Sequence, residues 1–337
     1  MNSTIVQQST SKAAQHPIFW LDDASLVLEV EDTMFKVHRT LLARRSPFIT
    51  DSVKRTQTSH DSLDTANGGL DHVKIDPSLK VSALDLEILL QHFYHDMPLS
   101  SDSEFPQIAS IIRVSSPEQL HFPQIHESAL RYLTNLFPSG PVPFLHPPHL
   151  EAALALATAF NVTSIQKGLL YSLVTSATFD TEGAISQDTN QDLSDSESVG
   201  GHHVQGNTDP STTSAAGPGL AVADSPSGAH KHMLSPLDSQ RCTRLMTHLI
   251  DYFSPILFTP PATRHMACTD VFAETWMKLV IQPAIDDEGV YKPLETLERI
   301  KNVPWATVGL CGECILEKNA EWTEEQETIW KLMDQWV

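Results

Sequence analysis

Two neighbouring segments, Asp23-Ala24-Ser25-Leu26-Val27-Leu28-Glu29-Val30 and Phe35-Lys36-Val37-His38-Arg39-Thr40-Leu41-Leu42, decide how the first part of this chain folds. In the first segment, aliphatic residues alternate from residue 26 to residue 30, which is the period of a strand with one buried face. The polar turn Glu31-Asp32-Thr33 follows, and residues 34–37 return as a second strand. The two segments therefore predict a β-hairpin whose second strand turns Phe35 and Val37 into the core.

Two short helices are predicted directly after the hairpin. The first covers Thr40–Arg45. Ser46-Pro47 then starts a second helix that continues to about Val53, with serine as the N-cap and proline at the first helical position. His38 lies where the strand turns into the first helix, where its side chain can hydrogen-bond the backbone. The neighbouring sequence offers His38 no nucleophile or carboxylate partner, so a structural role is predicted for it.

A third strand and an amphipathic helix are predicted further along the chain. Residues His72–Ile75 fit the strand. Ser82 and Asp85 have the spacing of a capping box at a helix N-terminus. Apolar residues then follow at i, i+3, i+4 and i+7, the pattern of one buried helix face: Leu86, Leu89, Leu90 and Phe93. Together these elements predict an α+β fold in which a small sheet is capped by a helical cluster.

The composition excludes several classes of protein. The chain has 337 residues, of which 41% are apolar, and its formal net charge is −20. A surface this negative repels phosphate backbones, so nucleic-acid binding is not expected. The sequence contains no apolar run of about 18 residues that could span a membrane, and its first fifteen residues lack the apolar core of a signal peptide. With only four cysteines, the chain is expected to be intracellular, in the cytoplasm or the nucleus.

The hairpin and the helices after it resemble the opening of a BTB/POZ domain. The resemblance covers about residues 17–137. The residues that carry its structural motif are Phe35, His38, Leu41, Leu42 and Phe48. The wider chain resembles the BTB proteins that are abundant in mushroom-forming fungi. The matching pieces there are Trp20, the helical segments within residues 150–176, and the ending that contains Cys311-Gly312-Glu313-Cys314, Trp322 and Trp330.

The resemblance implies a protein–protein interaction module rather than an enzyme. Its first implied role is a dimerising scaffold, which pairs with a second copy of itself and recruits other proteins. Asp23 and Arg39 match the acidic and basic positions that line a shared pocket in dimeric BTB domains. They are therefore candidates for the dimer interface, where opposite charges can meet across a two-fold axis. The alternative is that both are ordinary surface charges.

Two other roles stay open. One is a substrate adaptor of a cullin-type ubiquitin ligase. BTB domains that bind a cullin often carry an apolar-x-Glu step in the third main helix, but Leu86-Glu87-Ile88 has its glutamate one position early. A helical pair after the BTB core, as predicted within residues 150–176, is also used by cullin adaptors. The other role is a transcriptional cofactor, for which no DNA-binding segment is visible.

The chain is predicted to have five segments: a disordered tail (1–15), the BTB/POZ domain (16–137), a helical annex (138–179), a disordered acidic linker (180–240) and a C-terminal helical region (241–337). The linker is predicted from composition, because it holds 9 acidic residues against one basic residue and few large apolar side chains. Such a segment cannot offset its ordering entropy by burial.

The four cysteines raise the question of a metal site. Cys311-x-x-Cys314 has the spacing of half a zinc site, and Cys242 and Cys268 could complete four thiolates. The spacing of the second pair is not that of a zinc finger, so buried thiols without metal are the first expectation. No cofactor and no catalytic residue are predicted, because the sequence lacks the nucleophile-elbow, P-loop and dinucleotide-binding motifs.

Overall fold

A four-stranded sheet organises the first part of the chain. The computed structural model describes residues 13–59, 70–141, 144, 146–176 and 234–337. The strands are β1 (Ala14–Trp20), β2 (Leu26–Val30), β3 (Thr33–Val37) and β4 (Asp71–Lys74), in the order β1-β3-β2-β4. Strands β2 and β3 form the predicted antiparallel hairpin, while β1 and β4 run parallel to their neighbours β3 and β2. With the helices around it, this mixed sheet confirms the predicted α+β class.

Strand β1 was not predicted from the sequence. The predicted tail (1–15) is wrong at its end, because Ala14 already pairs with β3. Burial along β1 falls on His16 and Phe19, three positions apart, and the pairing register shifts within the strand. The two-residue period that marks a strand in sequence is therefore absent. Residues 1–12 of the predicted tail lie outside the described residues.

Among the described residues of this first part, five helices accompany the sheet. The predicted face of the third helix is confirmed, because all four of its apolar residues are buried. The second helix runs to Ser59, past the predicted end near Val53. The helices are α1 (Arg39–Ala43), α2 (Pro47–Ser59), α3 (Ala83–Phe93), α4 (Phe105–Ser115) and α5 (Pro123–Asn135), with a 3₁₀ turn at Pro77–Leu79.

Two serines start helices as predicted. Ser46 Oγ accepts a hydrogen bond from the backbone N–H of Ile49 at 3.0 Å at the start of α2. Ser82 Oγ accepts one from the N–H of Asp85, also at 3.0 Å, at the start of α3. The carboxylate of Asp85 instead binds the Arg113 guanidinium on α4 through two hydrogen bonds of 2.7 and 3.0 Å. The third helix is thus capped by serine and tied to α4 by a charged pair.

The rest of the described chain is helical. The helix that opens the C-terminal part begins at Pro236 with Ser235 as its N-cap. The predicted linker (180–240) is therefore wrong at its end, and its residues 180–233 lie outside the described residues. The helices are α6 (Leu150–Ala159), α7 (Thr163–Val174), α8 (Pro236–Phe258), α9 (Met266–Trp276), α10 (Gln282–Asp286), α11 (Pro293–Lys301), α12 (Trp305–Val308) and α13 (Gly312–Trp336). A π-helical turn, Met277–Ile281, joins α9 to α10. None of the described helices combines the length and apolar character that crossing a bilayer requires.

Large aromatic side chains form the centre of the C-terminal helices. Phe272 and Trp276 of α9 meet Trp305 of α12 and Trp322 of α13, with ring centroids 4.9 to 6.3 Å apart. The indole N–H groups of Trp276 and Trp305 donate to backbone carbonyls at 2.8 and 2.9 Å. The aromatic centre therefore buries large apolar area while both of these indole donors are satisfied.

Candidate functional site

The two predicted interface charges lie at the corner where β3 passes into α1, and each has a partner within its own chain. Asp23 Oδ2 is 3.2 Å from His38 Nε2, and the Asp23 side chain keeps 81% of its surface exposed. Arg39 Nη1 lies 2.8 Å from Asp71 Oδ2 at the start of β4. The structure therefore brings both residues to one corner without pairing them with each other.

His38 is held at this corner by side chains rather than by the backbone contact expected from sequence. Its backbone N–H donates to Tyr94 Oη at 3.1 Å, and its Nδ1 lies 2.9 Å from the same oxygen. The hairpin also supplies the carboxylate of Asp23, which is not close to His38 along the sequence. The hydrogen bond from His38 lowers the pKa of Asp23.

Tyr94, His38 and Asp23 thus form a chain of hydrogen-bonded groups. A phenol is protonated at neutral pH, and burial raises the pKa of Tyr94 further, so its oxygen is a poor nucleophile. The arrangement ties the end of β3 to the end of α3. These contacts fix the position of the corner between β3 and α1.

The other residues of the predicted structural motif differ in how deeply they are buried. Phe35 and Leu42 are buried in the core, and the Phe35 ring stacks on His16 with centroids 4.7 Å apart. Leu41 and Phe48 are half-buried and pack against the core from outside. Ile49, which the sequence analysis did not single out, is the fully buried residue of this turn.

Two large aliphatic residues are exposed on β1 and α3. Strand β1 is an edge of the sheet, and its Ile18 side chain is 60% exposed. Leu84, in the first turn of α3, is 63% exposed. The two elements meet at His16 of β1, which is buried, and Glu87 of α3, with Nε2 and Oε2 3.5 Å apart. We call the surface of Ile18, Leu84 and Glu87 the β1/α3 face.

A second cluster lies in the C-terminal helices. The potential metal-ligating atoms of His265, Cys268, Cys311 and Cys314 all lie within 4.8 Å of one another. The suggestion that Cys242 completes the set is wrong, because Cys242 is not part of this cluster. It is buried in α8, where burial and the neighbouring Asp238 raise its pKa to about 12.

Two helix N-termini position the cluster. His265 is the N-cap of α9 and Cys311 is the N-cap of α13, and Cys268 and Cys314 follow in the first turns. Gly309 has φ +121°, a conformation that side chains disfavour, and it bends the chain from α12 toward Cys311. The backbone N–H of Cys314, together with the His265 ring, lowers the pKa of Cys311 to about 6.

The sequence analysis missed His265. A signal was present, because His265-x-x-Cys268 repeats the step of Cys311-x-x-Cys314. A histidine and a cysteine at this spacing form the second half-site.

Comparison with known proteins adds no relative. A scan against protein-family models matched none of them to the chain, and a search of curated proteins found no match.

Proposed function

We propose that this protein is a BTB/POZ-type interaction protein, a scaffold that pairs with a second copy of itself through its first, α+β part. One observation carries the proposal. The order that the resemblance implies is a hairpin, two short helices, a strand and an amphipathic helix. The described chain has this order in β2, β3, α1, α2, β4 and α3.

The exposed surface of the same part supports self-association. The β1/α3 face exposes two large aliphatic side chains beside an edge strand, and such edges recruit further strands or apolar partners. Asp23 follows β1 closely along the chain, three residues after its end at Trp20. In a two-fold dimer, Asp23 of one copy can face Arg39 of the other, and each pair then occurs twice.

Light scattering of the full chain tests this proposal. We expect the mass of a dimer at tens of micromolar, the range in which a transient interface is populated. Ile18→Asp and Leu84→Asp should shift the mass toward the monomer, because each places a charge in the apolar interface. Leu316→Asp is the matched control: Leu316 is 75% exposed on α13, and its replacement should leave the dimer intact.

A double-mutant cycle tests the charged corner. If Asp23 and Arg39 meet across the axis, the effects of Asp23→Ala and Arg39→Ala on the dimer dissociation constant will not add. Additive effects would show that Asp23 and Arg39 do not meet across the dimer axis. A wild-type monomer at tens of micromolar would refute the whole proposal.

A substrate adaptor for a cullin is a second candidate. One observation favours it: α6 and α7 form a packed helical pair directly after the first part of the chain, and α6 contacts α4. Co-purification of a cullin with the tagged chain would support this role. If the dimer recruits other proteins but no cullin, the adaptor role is excluded and the scaffold role remains.

A further inference from the structure

We propose that His265, Cys268, Cys311 and Cys314 bind one Zn²⁺ ion in a structural site. This replaces the expectation of buried thiols without metal, and it does not depend on the proposed pairing of two chains. Three sulfur ligands and one imidazole are a common ligand set of structural zinc. All four ligand atoms already lie within one small volume.

The distances suit a tetrahedral ion. His265 Nδ1 lies 3.2 Å from Cys311 Sγ and 3.5 Å from Cys314 Sγ. With typical zinc bonds, about 2.3 Å to sulfur and about 2.0 Å to nitrogen, ligand atoms at tetrahedral angles lie roughly 3.5–3.8 Å apart. The limit of 4.8 Å across the cluster therefore requires only small side-chain adjustments to close around the ion.

The number of ligands favours a structural role over a catalytic one. Four protein ligands fill a tetrahedral shell and leave no position for water or substrate. On binding, the three thiols give up their protons and the neutral imidazole contributes a lone pair, so the site carries a net charge of −1. The thiolates lie at two helix N-termini, whose backbone N–H groups and dipoles favour negative charge.

The chemistry of the ligands also narrows the choice of metal. Calcium and magnesium prefer oxygen ligands, whereas thiolate and imidazole in a tetrahedral arrangement favour zinc. A disulfide between Cys311 and Cys314 would use only half of the cluster. It would leave unexplained why Cys268, which is buried, and His265, from a distant segment, converge on the same point.

The ion would fasten α9 to α13 at their N-termini. A salt bridge already crosses the same seam, with Arg264 Nε 3.1 Å from Glu317 Oε1. Further along the same two helices, Trp276 of α9 and Trp322 of α13 pack in the aromatic centre. Zinc therefore adds a cross-link between segments that are far apart in sequence, beside the apolar contacts that these helices already make.

Metal analysis of the purified full chain is the first test. After expression with zinc in the medium, we expect about one zinc ion per chain. Exchange for Co²⁺ should give the intense visible bands of a tetrahedral ion, with ultraviolet thiolate-to-cobalt charge transfer. Folded, reduced wild-type protein that holds no zinc and develops no such spectrum would overturn the proposal, as would the absorption of an iron–sulfur cluster.

Matched variants identify the ligands. Cys268→Ser and Cys314→Ser should lose the metal, while Cys242→Ser should keep it, because Cys242 is outside the cluster. His265→Cys should keep the metal and strengthen the charge-transfer bands of the cobalt form, since it supplies a fourth thiolate. This variant tests the proposal even if the serine variants fail to fold. Loss of zinc from Cys242→Ser with retention in Cys268→Ser would refute the ligand assignment.

Discussion

Tyr171 of α7 donates a hydrogen bond from its phenol to Glu295 Oε2 of α11 at 2.5 Å, and its oxygen accepts one from the backbone N–H of Leu294 at 3.1 Å. Tyr171 is fully buried, and burial beside the Glu295 carboxylate raises its pKa well above the ordinary value. Lys167 of α7 also reaches Asp334 of α13, at 2.7 Å. The annex helices and the C-terminal helices are thus joined by the buried hydroxyl of Tyr171 and by an ion pair whose Asp334 side chain is exposed.

Replacing Tyr171 should weaken this junction. Tyr171→Phe keeps the ring but removes both hydrogen bonds, leaving the buried N–H of Leu294 without its acceptor. We expect a loss of about 1–3 kcal/mol in the free energy of unfolding, measured in urea. Tyr291→Phe is the control, because Tyr291 is 42% exposed, and should change stability by less than about 0.5 kcal/mol. Equal effects of the two variants would contradict the assigned role.

The register of β3 can be tested at two adjacent positions. Phe35 is fully buried, so Phe35→Ala should cost about 3–5 kcal/mol through lost burial and a cavity. Lys36 points the other way, and its Nζ donates to the exposed backbone carbonyl of Asp22 at 2.9 Å. Lys36→Ala should therefore cost less than about 0.5 kcal/mol. Thermal melts of both variants measure the two losses of stability. A greater loss from Lys36→Ala would mean that β3 has the opposite register.

Two glycines beside Cys311 should respond differently to the same substitution. Gly309 has φ +121°, so Gly309→Ala should lose about 1–3 kcal/mol through backbone strain. Gly312 starts α13, and a Cβ added there meets nothing within 4 Å. Gly312→Ala should be neutral or gain up to about 1 kcal/mol, because it reduces the freedom of the unfolded chain. Urea denaturation of the two variants measures this, and equal losses would show that φ at Gly309 is not the cause.

Alkaline pH should destabilise the fold through Cys242. Burial raises its pKa from 9.0 to about 12 in the folded state, so the unfolded thiol ionises first. Its contribution to stability is complete below about pH 9 and is lost as the pH rises toward about 12. Between about pH 9 and about pH 11, the wild type should therefore lose more stability than Cys242→Ala. Parallel urea midpoints for the two proteins across this range would contradict the prediction.

Local patterns along the sequence were sufficient for the hairpin, α3 and two helix starts. Each depends on residues close together in the chain: the alternation from Leu26 to Val30, the helical spacing from Leu86 to Phe93, and the caps Ser46 and Ser82. A side chain that caps its own helix, or faces a core with its near neighbours, leaves a periodic signal that needs no knowledge of the rest of the fold.

Only the tertiary structure decided β1 and the sites. β1 has no two-residue period, because its register shifts along β3. His38 gains Asp23 only when the hairpin closes, and His265 meets Cys311 only when α9 packs beside α13. Such contacts join residues far apart in sequence, and their identity depends on which chain segments the core brings together. Spacing along the sequence marked only the Cys311–Cys314 half of the cysteine–histidine cluster, while packing selected Cys268 and His265, and not Cys242, as the partners of Cys311 and Cys314.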